Sequence, residues 1–292
     1  MTTTPQPQIL AFYRTSGAMA DADAHAALFD ALPDDVASLA KVPSGLVLHQ
    51  YIGGAYGEKV SEARAQEVHI RAMGDVLASV LKRDPAPLEQ ARPPSKRTIG
   101  NCRDFTLLLV AMLRHKKFPA RARCGFATYF ENGKYLDHWV AEYWNGKRWV
   151  MVDAQMDDVQ RKLFRIDFDP LDVPRDRFLI AGDAWAQCRD GKTDPGAFGI
   201  MDMRGWWFIA GNVVRDIAAL NKTEMLPWDV WGEMPQPGSA LNEAQFKRFD
   251  ALAALTRDPD KHFDELIRAY ESDTLKVPPV VFNAVTQRPE TV

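Results

Sequence analysis

Apolar positions along this chain recur at two spacings, and each predicts a different element. Phe105, Leu108, Leu109, Met112 and Leu113 follow the i, i+3, i+4, i+7, i+8 series of a helix, while Leu107, Val110 and Ala111 fill its other faces. Such a helix is expected to be buried nearly all round. Asn101 is a strong N-cap with Asp104 three residues on, as in a capping box, so the helix opens at Cys102. It closes on Arg114, His115, Lys116 and Lys117, cations where the helix dipole favours them, before Pro119 forbids continuation.

Beyond Pro119 the period changes. Segments 120–130, 135–144 and 147–153 read as strands, separated by Asn132-Gly133 and Asn145-Gly146. Asn-Gly between β-rich runs is the strongest short hairpin signal. A two-residue type I′ turn centred on Asn145-Gly146 pairs Trp144 with Lys147 and, counted outward, sets His138 directly opposite Asp153. Directly opposed side chains share one sheet face with Cβ atoms about 4.5–5.5 Å apart, within reach of a carboxylate–imidazole hydrogen bond. Upstream, 18–32 and 61–82 read as helices, the second carrying the stripe Met73, Val76, Leu77, Val80 and Leu81. Segment 46–52 reads as a strand leading into a flexible turn, Gly53-Gly54-Ala55-Tyr56-Gly57. Two more helices are expected over 241–255 and 263–270, so the chain is of the α+β class.

The chemistry these elements carry centres on Cys102, His138 and Asp153. A cysteine in the first turn faces the positive end of the helix dipole, which favours the reactive thiolate. His138 is positioned to take the thiol proton, Asp153 to fix the imidazole tautomer, and Cys102 to attack a carbonyl and form a thioester. Backbone N–H groups at the helix start, that of Cys102 included, are natural oxyanion donors, because they have no intrahelical partner. A second donor is not assigned by the sequence. Each residue also has a plainer reading: a cysteine within an apolar helix is usually a small buried hydrophobe, and a lone strand histidine is usually structural. Placement at the helix start, and a register that pairs His138 with Asp153, favour the chemical reading.

Composition narrows the remaining classes. With 36 basic and 39 acidic residues the net charge of −3 gives no electrostatic case for nucleic acid or an anionic membrane. Cys124 and Cys188 read as packing residues. Three cysteines with no Cys-x-x-Cys argue against structural zinc and a disulfide framework, and suggest a reducing, cytoplasmic setting. The amino terminus Met1-Thr2-Thr3-Thr4-Pro5-Gln6-Pro7 has no leader pattern, and no window approaches the roughly 18 apolar residues of a membrane span. The Arg92–Arg97 run is a solvated loop, and the glycine-rich turn lacks the Lys-Ser/Thr of a phosphate loop. Asp167, Asp169, Asp172 and Asp176 lack the glycine and closing glutamate of a calcium loop and are broken by Pro170 and Pro174, so no metal or other cofactor is expected. All eight tryptophans fall between Trp139 and Trp231. Trp206, Trp207, Trp228 and Trp231 are candidates for the walls of an acyl-binding groove. Packing of an extra helical layer is the preferred reading for Trp206 and Trp207. Segment 191–199 has a lid's composition.

Three stretches also resemble a known family. Gly-Asn-Cys-Arg-Asp-Phe-Thr around Cys102, Asp-His-Trp-Val-Ala-Glu-Tyr-Trp around His138 and Arg-Trp-Val-Met-Val-Asp ending at Asp153 resemble the core motifs of the transglutaminase-like superfamily in order, spacing and context. The link Leu113–Arg121 is similar as well, and the resemblance spans residues 96–155. It implies a papain/transglutaminase-like core, with a buried nucleophile helix packed on an antiparallel sheet and Cys102, His138 and Asp153 as nucleophile, base and orienter. Residues 1–95 are then an N-terminal, mainly helical part of the same domain, 96–155 the catalytic core, and 156–292 a Trp-rich and helical C-terminal extension. One departure is Asp153-Ala154, where the family commonly has Asp-Pro. The expected function is cysteine-dependent acyl transfer, first as hydrolysis of an amide or peptide bond in a peptide, protein or small amide substrate. Transfer to an amine acceptor is the alternative, and a non-catalytic binding module with a vestigial triad is the third.

Overall fold

The structure is a computed structural model that describes residues 4–292; the first three residues of the amino-terminal stretch read above lie outside them. The chain forms two compact units. The first takes the chain up to Ala122 together with Val140–Val173, and the second takes Arg123–Trp139 and Pro174–Val292.

The first unit opens with short helices α1 (Pro7–Tyr13), α2 (Val36–Leu39) and α3 (Val42–Leu46), strand β1 (Val47–His49), and helices α4 (Glu62–Ala65) and α5 (Met73–Arg83). The helix expected over 18–32 is reduced to a 3-10 turn at Asp23–Phe29. Asp23 adopts a left-handed φ of 48°, and the Asp21 side chain takes its N–H at 2.9 Å, which breaks α-helical hydrogen bonding at its start. The helix expected over 61–82 is interrupted, because Ile70 and Ala72 are extended. Between them the Arg71 carbonyl accepts from the Arg103 guanidinium at 2.6 Å.

Strand β2 (Thr98–Gly100) runs parallel to β1 and delivers the chain into helix α6 (Cys102–His115). Gly100 is needed at this junction: a Cβ there would sit 2.7 Å from Val47 Cγ1 and 2.8 Å from Asp104 Oδ2. Every residue of α6 from Cys102 to Arg114 is buried, because α2, α3, α5, β1 and β2 all pack around it. The all-round apolar sequence is thus matched by all-round burial.

Strands β3 (Ala120–Ala127) and β4 (Tyr135–Trp144) pass from one unit into the other along the chain. In the first unit β4 pairs antiparallel with β5 (Trp149–Val152), in the register Trp144 opposite Trp149 and Ala141 opposite Val152. This corrects the expected pairing of Trp144 with Lys147. The turn is centred one residue later, on Gly146-Lys147, and Gly146 alone of the two has positive φ, at 92°, the pattern of a type II′ turn. Asn145 decides the shift: its N–H donates to the Arg148 carbonyl, and its Oδ1 accepts from Lys147 and Arg148, both at 2.9 Å. A buried Arg121–Glu142 pair, 2.8 Å apart, braces the same unit, with the guanidinium 3.9 Å from the Trp149 ring centroid. Helix α7 (Asp158–Leu163) follows.

In the second unit the sheet order is β6-β3-β4-β7-β8, with β6 Phe178–Ile180, β7 Phe198–Ile200 and β8 Met203–Arg204. The β3–β6 and β7–β8 pairs are antiparallel, whereas β4–β7 is parallel. Helices α8 (Ala181–Arg189), α9 (Trp206–Leu220) and α10 (Glu243–Arg257) pack together. Arg123 is buried there against the Asp216 carboxylate, at 3.0 and 2.8 Å, and the Thr256 carbonyl. Helix α11 (Phe263–Tyr270) spans the segment expected to be helical, and strands β9 (Asp229–Val230), β10 (Val280–Asn283) and β11 (Arg288–Thr291) form a small separate sheet. No helix among the described residues is long and apolar enough to cross a membrane.

Candidate active site

Cys102 is the first residue of α6 and is 7% exposed. The capping box is complete around it: Asn101 Oδ1 accepts from the Arg103 N–H, and Asp104 Oδ2 accepts from the Asn101 N–H, both at 2.9 Å. Burial raises the pKa of the Asp104 carboxyl, against the opposing pull of Arg103 and the Asn101 N–H. The Arg103 guanidinium is held by Asp104 Oδ1 at 3.1 Å and by the Arg71 carbonyl. A buried cation is thereby neutralised one residue from the thiol.

His138 lies on β4, in the second unit, and is 1% exposed. Its imidazole sits among three aromatic rings, Phe130 at 4.8 Å, Tyr129 at 5.9 Å and Phe178 at 6.3 Å between centroids. All three are edge-on, which encloses the ring in apolar surface.

Asp153 follows β5 directly, in the first unit with Cys102. Its N–H donates to the Pro170 carbonyl, and its Oδ1 accepts from the Gln155 N–H at 3.0 Å. In the observed register position 153 counts opposite Val140, not opposite His138. The direct opposition expected from the sequence is therefore corrected by two residues. An even shift preserves the strand face, since side chains alternate with period two.

Two further buried residues of the first unit lie close along the chain to Cys102 and Asp153. Asn101 is 3% exposed, and its Nδ2 meets no hydrogen-bond partner among the described residues. Gln155 is 2% exposed with its Oε1 in the same condition. Its Nε2 donates to Gln160 Oε1 at 2.9 Å, and Gln160 in turn meets Tyr56, whose hydroxyl donates to Asp157 at 2.8 Å. Burial first, and then Asp157, push the Tyr56 phenol well above its ordinary pKa. In the sequence Asn101 is legible as a helix cap, and Gln155 belongs to no pattern that marks it. Each orphaned group costs roughly 1–3 kcal/mol, which no local pattern records.

The four candidate tryptophans are placed less uniformly. Trp206 opens α9 and packs against Trp185 and Phe246 at 4.9 and 5.0 Å, in an aromatic layer between helices. Trp207 is half-buried beside Phe208, Trp228 is half-buried, and Trp231 is buried with its indole N–H donated to the Leu275 carbonyl. The segment read as a lid holds a 3-10 turn at Pro195–Ala197 and then β7. Of the acidic series, Asp172 forms a bidentate pair with Arg148, and Asp169 accepts from the Leu171 N–H.

Residues 48–154 match the transglutaminase-like superfamily. The matched segment contains Cys102, His138 and Asp153, and starts with β1, well upstream of the boundary read from the motifs. A solved structure from Cytophaga hutchinsonii, described as that of a candidate cysteine protease, is 17% identical with a TM-score of 0.33. The alignment covers 51% of this chain and 43% of that one, so this chain spans less than half that protein's length. No curated protein matches the chain.

Proposed function

We propose that this chain is a cysteine-dependent acyl-transfer enzyme that hydrolyses an amide or peptide bond through a thioester on Cys102. The observation that carries the reading is the capped start of α6, which presents Cys102 inside a transglutaminase-like segment that also holds His138 and Asp153 in order. The helix dipole favours the thiolate there. His138 draws the thiol proton, and Asp153 holds the imidazole in the tautomer that accepts it. Sulfur attacks the carbonyl carbon, the C–S bond forms, and the carbonyl π pair moves onto oxygen. Collapse restores the C=O bond and breaks the C–N bond, with the amine leaving on the proton that His138 carries. Water then adds to the thioester with His138 as base, and the acid and the free thiol are released. The backbone N–H of Cys102 is one oxyanion donor in this scheme.

The second reading, transfer to an amine, draws support from the Phe130, Tyr129 and Phe178 rings around His138, since aromatic walls disfavour water as the acceptor. Trp206 adds nothing to it, because its ring is engaged by Trp185 and Phe246.

Alkylation with iodoacetamide near neutral pH, with the modified cysteine mapped by mass spectrometry, tests the nucleophile. Cys102 is expected to label first, and preferential labelling of Cys124 or Cys188 would sink the assignment. A panel of amides turned over with and without a primary amine then separates the two readings, since only transfer yields a product containing the amine. Asp153→Asn is expected to lower kcat by up to about 10⁴-fold by releasing the wrong imidazole tautomer.

A further inference from the structure

We infer that Asn101 supplies, through its Nδ2–H, the second hydrogen-bond donor to the oxyanion formed when Cys102 attacks an acyl group. The inference rests on Cys102 being the nucleophile. It starts from an orientation that is not free to reverse. Asn101 Oδ1 accepts from the Arg103 N–H at 2.9 Å, and only the oxygen end of an amide accepts from a backbone N–H, so Nδ2 is fixed as the other end. That nitrogen is buried, carries two N–H groups and meets no acceptor among the described residues.

Capping does not explain the amide. A cap uses the oxygen alone, and serine, threonine or aspartate serves as well. What asparagine adds is a pair of N–H donors on an atom separate from the capping oxygen, shielded from water, one residue before the sulfur. Buried polar groups without partners are rare in folded proteins, and each calls for an explanation. Here the reaction itself provides the acceptor. As the Sγ–C bond forms, the carbonyl π pair passes to oxygen, and a preorganised neutral N–H stabilises that charge more than it stabilises the carbonyl of the ground state. The guanidinium on the same turn is not a rival, since Arg103 is engaged by Asp104 and the Arg71 carbonyl.

Two reactions of one sulfur separate this role from capping. Alkylation by iodoacetamide displaces iodide at a saturated carbon and passes through no oxyanion, whereas acylation by p-nitrophenyl acetate does. Asn101→Ser and Asn101→Thr keep an oxygen for the Arg103 N–H, and the second serves if the first fails to fold. In the full-length protein, the Cys102 alkylation rate is expected to stay within about twofold of the unsubstituted chain while acylation falls about 10²–10³-fold, the usual loss for one oxyanion donor. Acylation that stays within about threefold would overturn the role of Asn101 and leave Cys102 as nucleophile. A parallel fall in both rates would overturn it too, and would make Asn101 a device of the helix cap that acts on the thiol. Failure of the unsubstituted chain to acylate at Cys102 would instead remove the nucleophile reading, and this inference with it.

Discussion

Cys102 and Cys188 are both buried thiols, at opposite ends of their helices. Cys102 opens a capped helix, whose first-turn N–H groups favour negative charge. Cys188 lies in the last turn of α8, where burial first and then the Asp194 carboxylate push its thiol up to about 12. Cys188 is therefore expected to resist iodoacetamide at pH 8 while Cys102 reacts, which peptide mapping after limited labelling reads directly. The same shift has a consequence for stability. The folded state keeps the Cys188 proton above pH 9.0, where an unperturbed thiol gives it up, so the stabilising contribution is full below that value. It is lost as pH rises from 9.0 toward about 12. Urea unfolding at successive pH values should show the unsubstituted chain losing stability relative to Cys188→Ala across that window, and a constant difference would contradict the shift. At this scale the sequence located the three cysteines, Cys102 at a helix start, Cys124 on a strand and Cys188 in a helix, and the structure places each on that kind of element. The sequence said nothing of Asn101 Nδ2, because an orphaned donor is defined by the atoms that fail to surround it.

The hairpin between β4 and β5 shows how far an element is legible. Asn-Gly marked the turn, and the strands on either side formed. The centre moved by one residue because the Asn145 side chain takes the N–H groups of Lys147 and Arg148, an alternative that dipeptide preference alone does not weigh. Asn145→Ala is expected to cost about 1 kcal/mol in urea unfolding through loss of those two bonds. Gly146→Ala should cost about 1–2 kcal/mol from the left-handed backbone alone, since a Cβ there meets nothing within 4 Å. A neutral result for both would contradict the turn described. Helices behaved differently. α6 formed as its periodicity required and α11 formed over the segment expected, whereas segments 18–32 and 61–82 were cut by local bonds of Asp21 and by the carbonyl of Arg71. Stripe spacing tells which face is apolar, not where a carbonyl is needed elsewhere.

Across the molecule, each unit contains a buried arginine–carboxylate pair of its own: Arg121 with Glu142 in the first, Arg123 with Asp216 in the second. The second also joins positions far apart in sequence, because Arg123 reaches the Thr256 carbonyl and Asp216 accepts the Cys124 N–H. Removing one partner leaves a charge with its desolvation uncompensated, so Asp216→Ala is expected to cost about 3–5 kcal/mol by chemical denaturation. Asp216→Asn, which keeps an acceptor, should cost less, and equal small losses would mean the pair contributes little. The sequence by itself determined helix α6, its cap, its all-round burial and the existence of the hairpin, because those depend on neighbours within a turn or two along the chain. Tertiary structure alone decided which arginine meets which carboxylate, that Trp206 belongs to an aromatic layer, and that the Asn101 amide nitrogen meets no acceptor among the described residues. Those outcomes depend on which distant segments exclude water together, and no spacing along the chain encodes that.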